Sequence, residues 1–421
     1  MQRMVRRMTQ GVLVVLLLAI LGQAAGAGAQ DDVTTLTFWG DWSGEGETQI
    51  QAMVDAFNAA HPNIQVEYVV QEDMITKFLT AATAGQTPDV MLWDRWRTAL
   101  YAPKGVLAPI DEYLERDGIA REDFYGEALR ELTWDDQLYG LPLTVDARAL
   151  FYNEQLLAEA GVEPPTTWAE LEAAAVALTK RDGDTLTTAG FALNDVGLFS
   201  MYLQQAGGQM VADDCSETTF NSPEGLAVLD LWQRMMDQGV YELGFEEGLG
   251  EGQDAFVTGR VAMLYTGPWM ITTYQKYGAD LDFGVVSPPS GPDGDQSSVM
   301  GGFGLTIPAA SEKQDAAWEF VKWWLAEPAN AVTWGQTSSN FPGNTVAIQD
   351  RAFSEDPLRQ PFLETFDFAR VRPPCAGYSP MEIDGLIPNL QLFMEGKQSA
   401  QETLDRAQEE GDRLLAENNV S

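Results

Sequence analysis

Several short runs in this chain set a carboxylate, a guanidinium or both against an indole. Asp41 precedes Trp42, the pair Asp94-Arg95 lies between Trp93 and Trp96, and Asp146 stands two residues from Arg148. A further run, Ala255 to Trp269, closes on Thr266-Gly267-Pro268-Trp269. Carboxylates and guanidiniums hydrogen-bond adjacent hydroxyls in bidentate fashion, and a flat aromatic ring covers an apolar face of C–H groups. A sugar presents hydroxyls around its rim and C–H groups on its faces, so these residue types match a polyhydroxylated ligand.

Groups that make or break covalent bonds are scarce. The single histidine, His61, sits in Ala-His-Pro-Asn at a helix stop, which suits a surface residue beside a turn and leaves Ser-His-Asp or Cys-His chemistry without a base. Clustered His and Cys for zinc are missing, and no Walker loop occurs. Gly248-Leu249-Gly250 falls in an acidic loop, not between a strand and a helix. These features argue against an enzyme and call for no cofactor. A paired Asp/Glu site for glycoside hydrolysis stays open, because the spacing of two carboxylates is a three-dimensional property.

The elements that must position these residues read as α/β. Leu36 to Trp39 is a strand opening into the loop Gly40 to Gly44, and Ile50, Met53, Val54 and Phe57 lie on one helical face behind it. Ile64 to Val70 is the next strand, Ile75, Phe78, Leu79 and Ala82 mark a helix, and Asp89 to Trp93 returns as a strand before Asp94-Arg95-Trp96. This βαβαβ order is the doubly wound pattern, with ligand-facing loops at strand C-termini. A second lobe begins after Gly140-Leu141-Pro142. Thr167 with Glu170 and Ser311 with Gln314 predict boxed helix starts, Ser399 and Glu402 cap the last helix, and Ser222-Pro223 opens a helix that stops at Gly239. Ser287 to Ser298 reads as an exposed loop. In the Trp269 run a short helix ends at Gly259, a buried strand spans Val261 to Tyr265, and Trp269 starts the following helix.

The chain has 421 residues and a formal net charge of −38. That acidity excludes nucleic acid and anionic membrane surfaces as partners. Residues 1–29 have a basic start (Arg3, Arg6, Arg7), an apolar stretch from Gly11 to Leu21 and the small-x-small run Ala27-Gly28-Ala29, the pattern of a cleaved signal peptide. No Cys follows for lipid attachment, so the expected location is periplasmic or secreted. What remains is too long for one core and suits two lobes. The two cysteines, Cys215 and Cys375, are compatible with a disulfide in that compartment.

Taken in order, these motifs resemble the maltose-binding-protein-like receptors, the extracellular solute-binding proteins of family 1. Thr37 to Asp41 looks like the family's opening strand and first ligand loop. Leu92 to Trp96, followed by Gly105 to Ile110, is similar to its Asp-Arg segment. Gly140-Leu141-Pro142 with Leu150 to Asn153 looks like its crossover, and Gly301-Gly302-Phe303-Gly304 like its Gly-Gly-aromatic turn.

The resemblance implies a two-lobed periplasmic-binding-protein fold, each lobe a doubly wound sheet flanked by helices, with a three-crossing hinge. The first lobe takes 30–142 plus 303–344 and the second 143–302 plus 345–421. It implies ligand contacts at Asp41, Trp42, Trp93, Asp94, Arg95, Trp96, Asp146, Asp195, Trp269 (stacked on a sugar ring), Gly301, Gly302 and Phe303, with Tyr378 as a substitute for an aromatic contact near the C-terminus. Where the maltose receptor has an acid and an aromatic, this chain reads Asn194 to Gly197, so Asp195 keeps only the acid role.

The implied function is the sugar- or polyol-capturing component of an ABC importer, a monomer that meets membrane permease subunits. The alternatives are a secreted glycoside hydrolase and a receptor for a cation such as a polyamine. Both cysteine loops belong to the second lobe on this alignment, so a Cys215–Cys375 bond would tie the C-terminal segment to that lobe without locking the hinge.

Overall fold

The computed structural model describes residues 33–247 and 254–419. The expected signal segment 1–29 and the run Gly248-Leu249-Gly250 lie outside the described residues. Among those described, no helix is long and apolar enough to cross a membrane.

The first lobe is built on a five-stranded sheet in the order Ile64–Val70, Thr34–Gly40, Val90–Asp94, Phe303–Thr306, Gly140–Pro142. The first three strands run parallel, and Phe303–Thr306 is antiparallel to both of its neighbours. Val90 to Trp93 is buried at every position, as a strand covered on both faces must be. Helix Glu45–Ala60 presents Ile50, Met53, Val54 and Phe57 to that sheet, the four positions of its sequence periodicity. Trp318, Phe320 and Trp324, from helix Gln314–Leu325, complete this core.

The second lobe has helices around an antiparallel sheet in which Ala149–Asn153 is flanked by Met263–Thr266 and Phe283–Val286. One large core joins residues 150–299 with the C-terminal helices. A smaller one packs Phe353, Phe362 and Phe366 against Phe151 and Tyr274.

Between the lobes lies a four-stranded sheet in the order Phe341–Pro342, Thr144–Ala147, Ser298–Gly301, Ala369–Arg370. Its strands are the crossings. The chain leaves the first lobe through Gly140–Pro142 and Thr144–Ala147, returns through Ser298–Gly301 and Phe303–Thr306, and passes a third time at Phe341–Pro342. The first two crossings pair directly, Met300 with Ala147 and Gly301 with Asp146. This is a two-lobed α/β fold with a three-crossing hinge.

Local expectations fail where a side chain finds a different hydrogen-bond partner or the segment is drawn into other pairing. Ser311 does not box the helix with Gln314. Its hydroxyl donates to the buried Asp89 at 2.8 Å, and Lys313 takes the cap position. Residues 255–259 form turns instead of a helix, because Asp254 accepts from the backbone of Phe256 and Val257 and only a single turn closes before Gly259. The following strand starts at Met263, since Val261 is drawn into a bridge with Ala189. The loop after Ser287 is partly buried, with Gln205 donating to the Ser297 carbonyl at 2.8 Å, and Ser298 already begins a strand. Thr167 and Ser399 cap as their sequences predict.

Cys215 and Cys375 are joined across 160 residues, with their Cα atoms 6.1 Å apart. Both belong to the second-lobe core. Asn419, just past the final helix, bonds the Cys215 carbonyl and the Gly377 amide, so the C-terminus is sewn to the same place. Removing both sulfurs with Cys215→Ser and Cys375→Ser should therefore cost about 5 kcal/mol in the chain-entropy model. The hinge should move as before. Denaturant unfolding measures the loss, and two titratable thiols in the unfolded, unreduced protein would contradict the bond.

Candidate functional site

A cleft of about 470 Å³ opens between the lobes, with the hinge sheet as its floor. Its size falls within the range of small-molecule sites. The first lobe contributes Trp42, Glu45, Gln49, Asp94, Trp96 and Phe303. The hinge contributes Thr144, Asp146, Gly301, Gly302 and Asn340, and the second lobe Arg148, Trp269, Thr273, Val299 and Arg372.

Each of these side chains is placed by a local device. Trp42 leaves the loop after Thr34–Gly40 and rests edge-to-face on Phe303 at 4.9 Å, with Trp334 stacked behind it at 6.1 Å. Asp94 ends its strand and accepts from Trp96 Nε1 at 2.5 Å, which fixes the Trp96 ring in the cleft wall. Arg372 lies over that ring at 4.5 Å and pairs with Glu382 at 2.7 Å. Asp146 is buried, and burial raises its carboxyl pKa against the pull of Arg148 and Arg95. At the rim, Lys276 of the second lobe meets Glu45 of the first at 2.6 Å. Thr272 and Ser339 share a hydrogen bond of 2.8 Å.

Residues 41–331 match the model of the bacterial extracellular solute-binding proteins. The chain belongs to that family. A solved structure of CpMnBP1 with mannobiose bound is 26% identical, with a TM-score of 0.82 over 90% of this chain and 99% of that one. An ABC transporter solute-binding protein from Thermotoga lettingae, bound with α-D-tagatose, is 26% identical with a TM-score of 0.81, covering 91% and 100%. The maltotriose-binding protein of Pyrococcus abyssi is 26% identical over 77% of this chain and 69% of its own length.

Within this solute-binding fold, five of the expected contact residues stand elsewhere. Trp93 alternates with Asp94 along one strand, so its ring enters the first-lobe core and its Nε1 donates to Thr98 at 3.1 Å. Asp41 is partly exposed and outside the cleft lining, yet burial raises its carboxyl pKa and Asp94 adds to the rise. Asp195 lies in a separate small cavity of the second lobe with Tyr202, Trp232 and Tyr265, where its carboxylate accepts from the Gly197 amide. Tyr378 is buried behind Trp96, edge-on at 6.4 Å.

Arg95 is the fifth. It is fully buried, paired with Glu131 at 3.0 Å, and it donates to the carbonyls of Thr144 and Gly301. Gly302, at φ 130°, leaves the room this guanidinium fills, for a side chain there would strike Arg95 and Thr144.

Sequence reasoning did not place Glu45, Gln49, Thr144, Thr273, Val299, Asn340 or Arg372 at the site. Glu45 and Gln49 share one helix face beside the Trp42 loop, a signal that was available. Arg372 carried none, since its partners lie on other elements. Among the described residues, no group of three or more His, Cys, Asp or Glu is arranged to hold a metal ion.

The Arg95–Glu131 pair has a measurable signature. Burial pushes the Glu131 carboxyl up to about 7 against the Arg95 charge, and its Oε1 has no hydrogen-bond partner. The folded chain thus holds this proton more tightly than the unfolded chain. The stability it contributes is fully present below the ordinary value of 4.5 and is lost as pH rises through about 7. The difference in unfolding free energy between wild type and Glu131→Gln should fall between those pH values and level off above them. A difference that stays flat across the range would show Glu131 titrating as a surface carboxyl.

Proposed function

We propose that this chain is the extracytoplasmic receptor of an ABC importer and that it captures a neutral sugar between its lobes. The observation that carries this reading is a cleft whose walls combine Trp42, Trp96 and Trp269 with charge pairs that are already compensated. Asp146 faces Arg148 at 3.4 Å, Asp94 faces Arg97 at 3.8 Å, Arg372 faces Glu382, and Glu45 faces Lys276. A ligand bearing net charge would have to outcompete one of these partners, whereas hydroxyls can join existing pairs as donor and acceptor at once.

The lobes we infer are 30–142 with 303–344 and 143–302 with 345–421, closing about the three crossings. Ligand contacts from both sides favour the closed form, and that form engages the permease. The receptor works as a monomer.

Calorimetric titration tests this with maltotriose, mannobiose, tagatose, glycerol 3-phosphate and spermidine. At least one neutral sugar should bind and be recovered intact, while the phosphate and the amine leave the protein unaffected. At 100 times its dissociation constant that sugar should stabilise the fold by about 2.7 kcal/mol. Hydrolysis at catalytic rates would make the protein a glycosidase, and binding of spermidine alone would make it a cation receptor.

A further inference from the structure

Gly267 and Arg148 both pack on Trp269 in the second-lobe wall of the cleft. A side chain at position 267 would collide with Cε3, Cζ3 and Cη2 of Trp269, three neighbouring atoms of the six-membered ring. Near-equal approach to three adjacent ring atoms means that the Gly267 backbone lies against a ring face, not an edge. The guanidinium carbon of Arg148 lies over the Trp269 ring, 4.7 Å from its centre. Backbone and guanidinium together take up ring surface on which a sugar would otherwise stack, while Trp269 keeps a half-buried place in the cleft wall.

Arg148 is held from three sides. Its backbone N–H donates to Ser298 Oγ at 3.0 Å, and Ser298 Oγ donates back to its carbonyl at 2.8 Å. Its Nη1 reaches Asp146 Oδ1 at 3.4 Å, two residues along and on the same side of the crossing strand. The guanidinium over this indole is planar, so its N–H groups leave it in one plane as a fixed fork. Both Arg148 and Asp146 line the cleft. They offer donors and acceptors side by side, the complement of two adjacent hydroxyls, each of which can both donate and accept.

We propose that Arg148 is a specificity-determining residue: with Asp146 it reads a vicinal diol of the sugar, and Trp269 serves as the platform that orients Arg148. This assignment rests on the sugar-receptor reading above. It departs from the resemblance, which implies that Trp269 itself stacks on the ligand, and it gives the ligand class as uncharged sugars presenting two neighbouring hydroxyls to this wall. An anionic group in the same place would face the Asp146 carboxylate.

A double-mutant cycle on the full-length protein separates the two roles of Trp269, using the panel sugar that binds wild type. Arg148→Met and Trp269→Ala should each weaken binding at least tenfold, with unchanged circular dichroism. Trp269→Ala should cost less than twofold further once Arg148→Met is present. Arg148→Lys should not restore affinity, because an ammonium has no planar fork, whereas Trp269→Phe should stay within about threefold of wild type. Among monodeoxy analogues of that sugar, one should bind wild type weakly and lose that penalty against Arg148→Met. The proposal is overturned if Trp269→Ala costs the same in both backgrounds, which would mean direct stacking. It is overturned equally if Arg148→Met tightens binding, which would make Arg148 a plug. Failure of wild type to bind any sugar of the panel would sink the receptor reading itself, a different and separately visible outcome.

Discussion

The fully buried guanidinium of Arg95 is the constraint around which the two lobes are arranged. An ion without partners in such a place would cost several kcal/mol, so every one of its directions must find an acceptor. Glu131 supplies a carboxyl oxygen, and the carbonyls of Thr144 and Gly301 supply the rest. Those two carbonyls belong to the two paired crossings. One first-lobe side chain thus sets where both strands stand as they enter the hinge. Gly302 follows from the same requirement, since only a residue without Cβ leaves the guanidinium its place beside a backbone at φ 130°.

From that anchor the cleft inherits its geometry. Asp146 lies two residues beyond Thr144, opposite Gly301 in the sheet register, so it is presented at the floor without freedom to retreat. Asp94 immediately precedes Arg95 and must face the cleft when its neighbour is buried. The walls then grow outward as pairs of opposite charge on aromatic platforms, Arg372 over Trp96 and Arg148 over Trp269. A strongly acidic protein thereby keeps a locally compensated cleft. Its large net charge acts on solubility and encounter, not on recognition at the floor.

Much of this was legible in the chain. A period of 3.6 located the first-lobe helices and short apolar runs located its strands, because both patterns follow which positions water cannot reach. The caps at Thr167, Ser222 and Ser399 were equally readable, being contacts within three residues. Loops at strand ends carried the expected aromatics and acids, and Trp42, Asp94, Trp96, Asp146, Trp269, Gly301, Gly302 and Phe303 all line the cleft.

The sequence by itself determined the elements, their order and the chemical types available at the strand ends, since those follow from short-range sterics and burial periodicity. Tertiary structure alone decided which of these groups face the cleft. Arg95 is withdrawn from it by Glu131, 36 residues away, and Arg372 is brought to it by the return of the C-terminal segment. Asp195 is spent on a turn in another cavity, and Trp269 carries Arg148, 121 residues away, over its ring. Apart from the Asp195 turn, these outcomes are set by contacts between different elements, and no local pattern encodes the partner that a buried charge or ring will find.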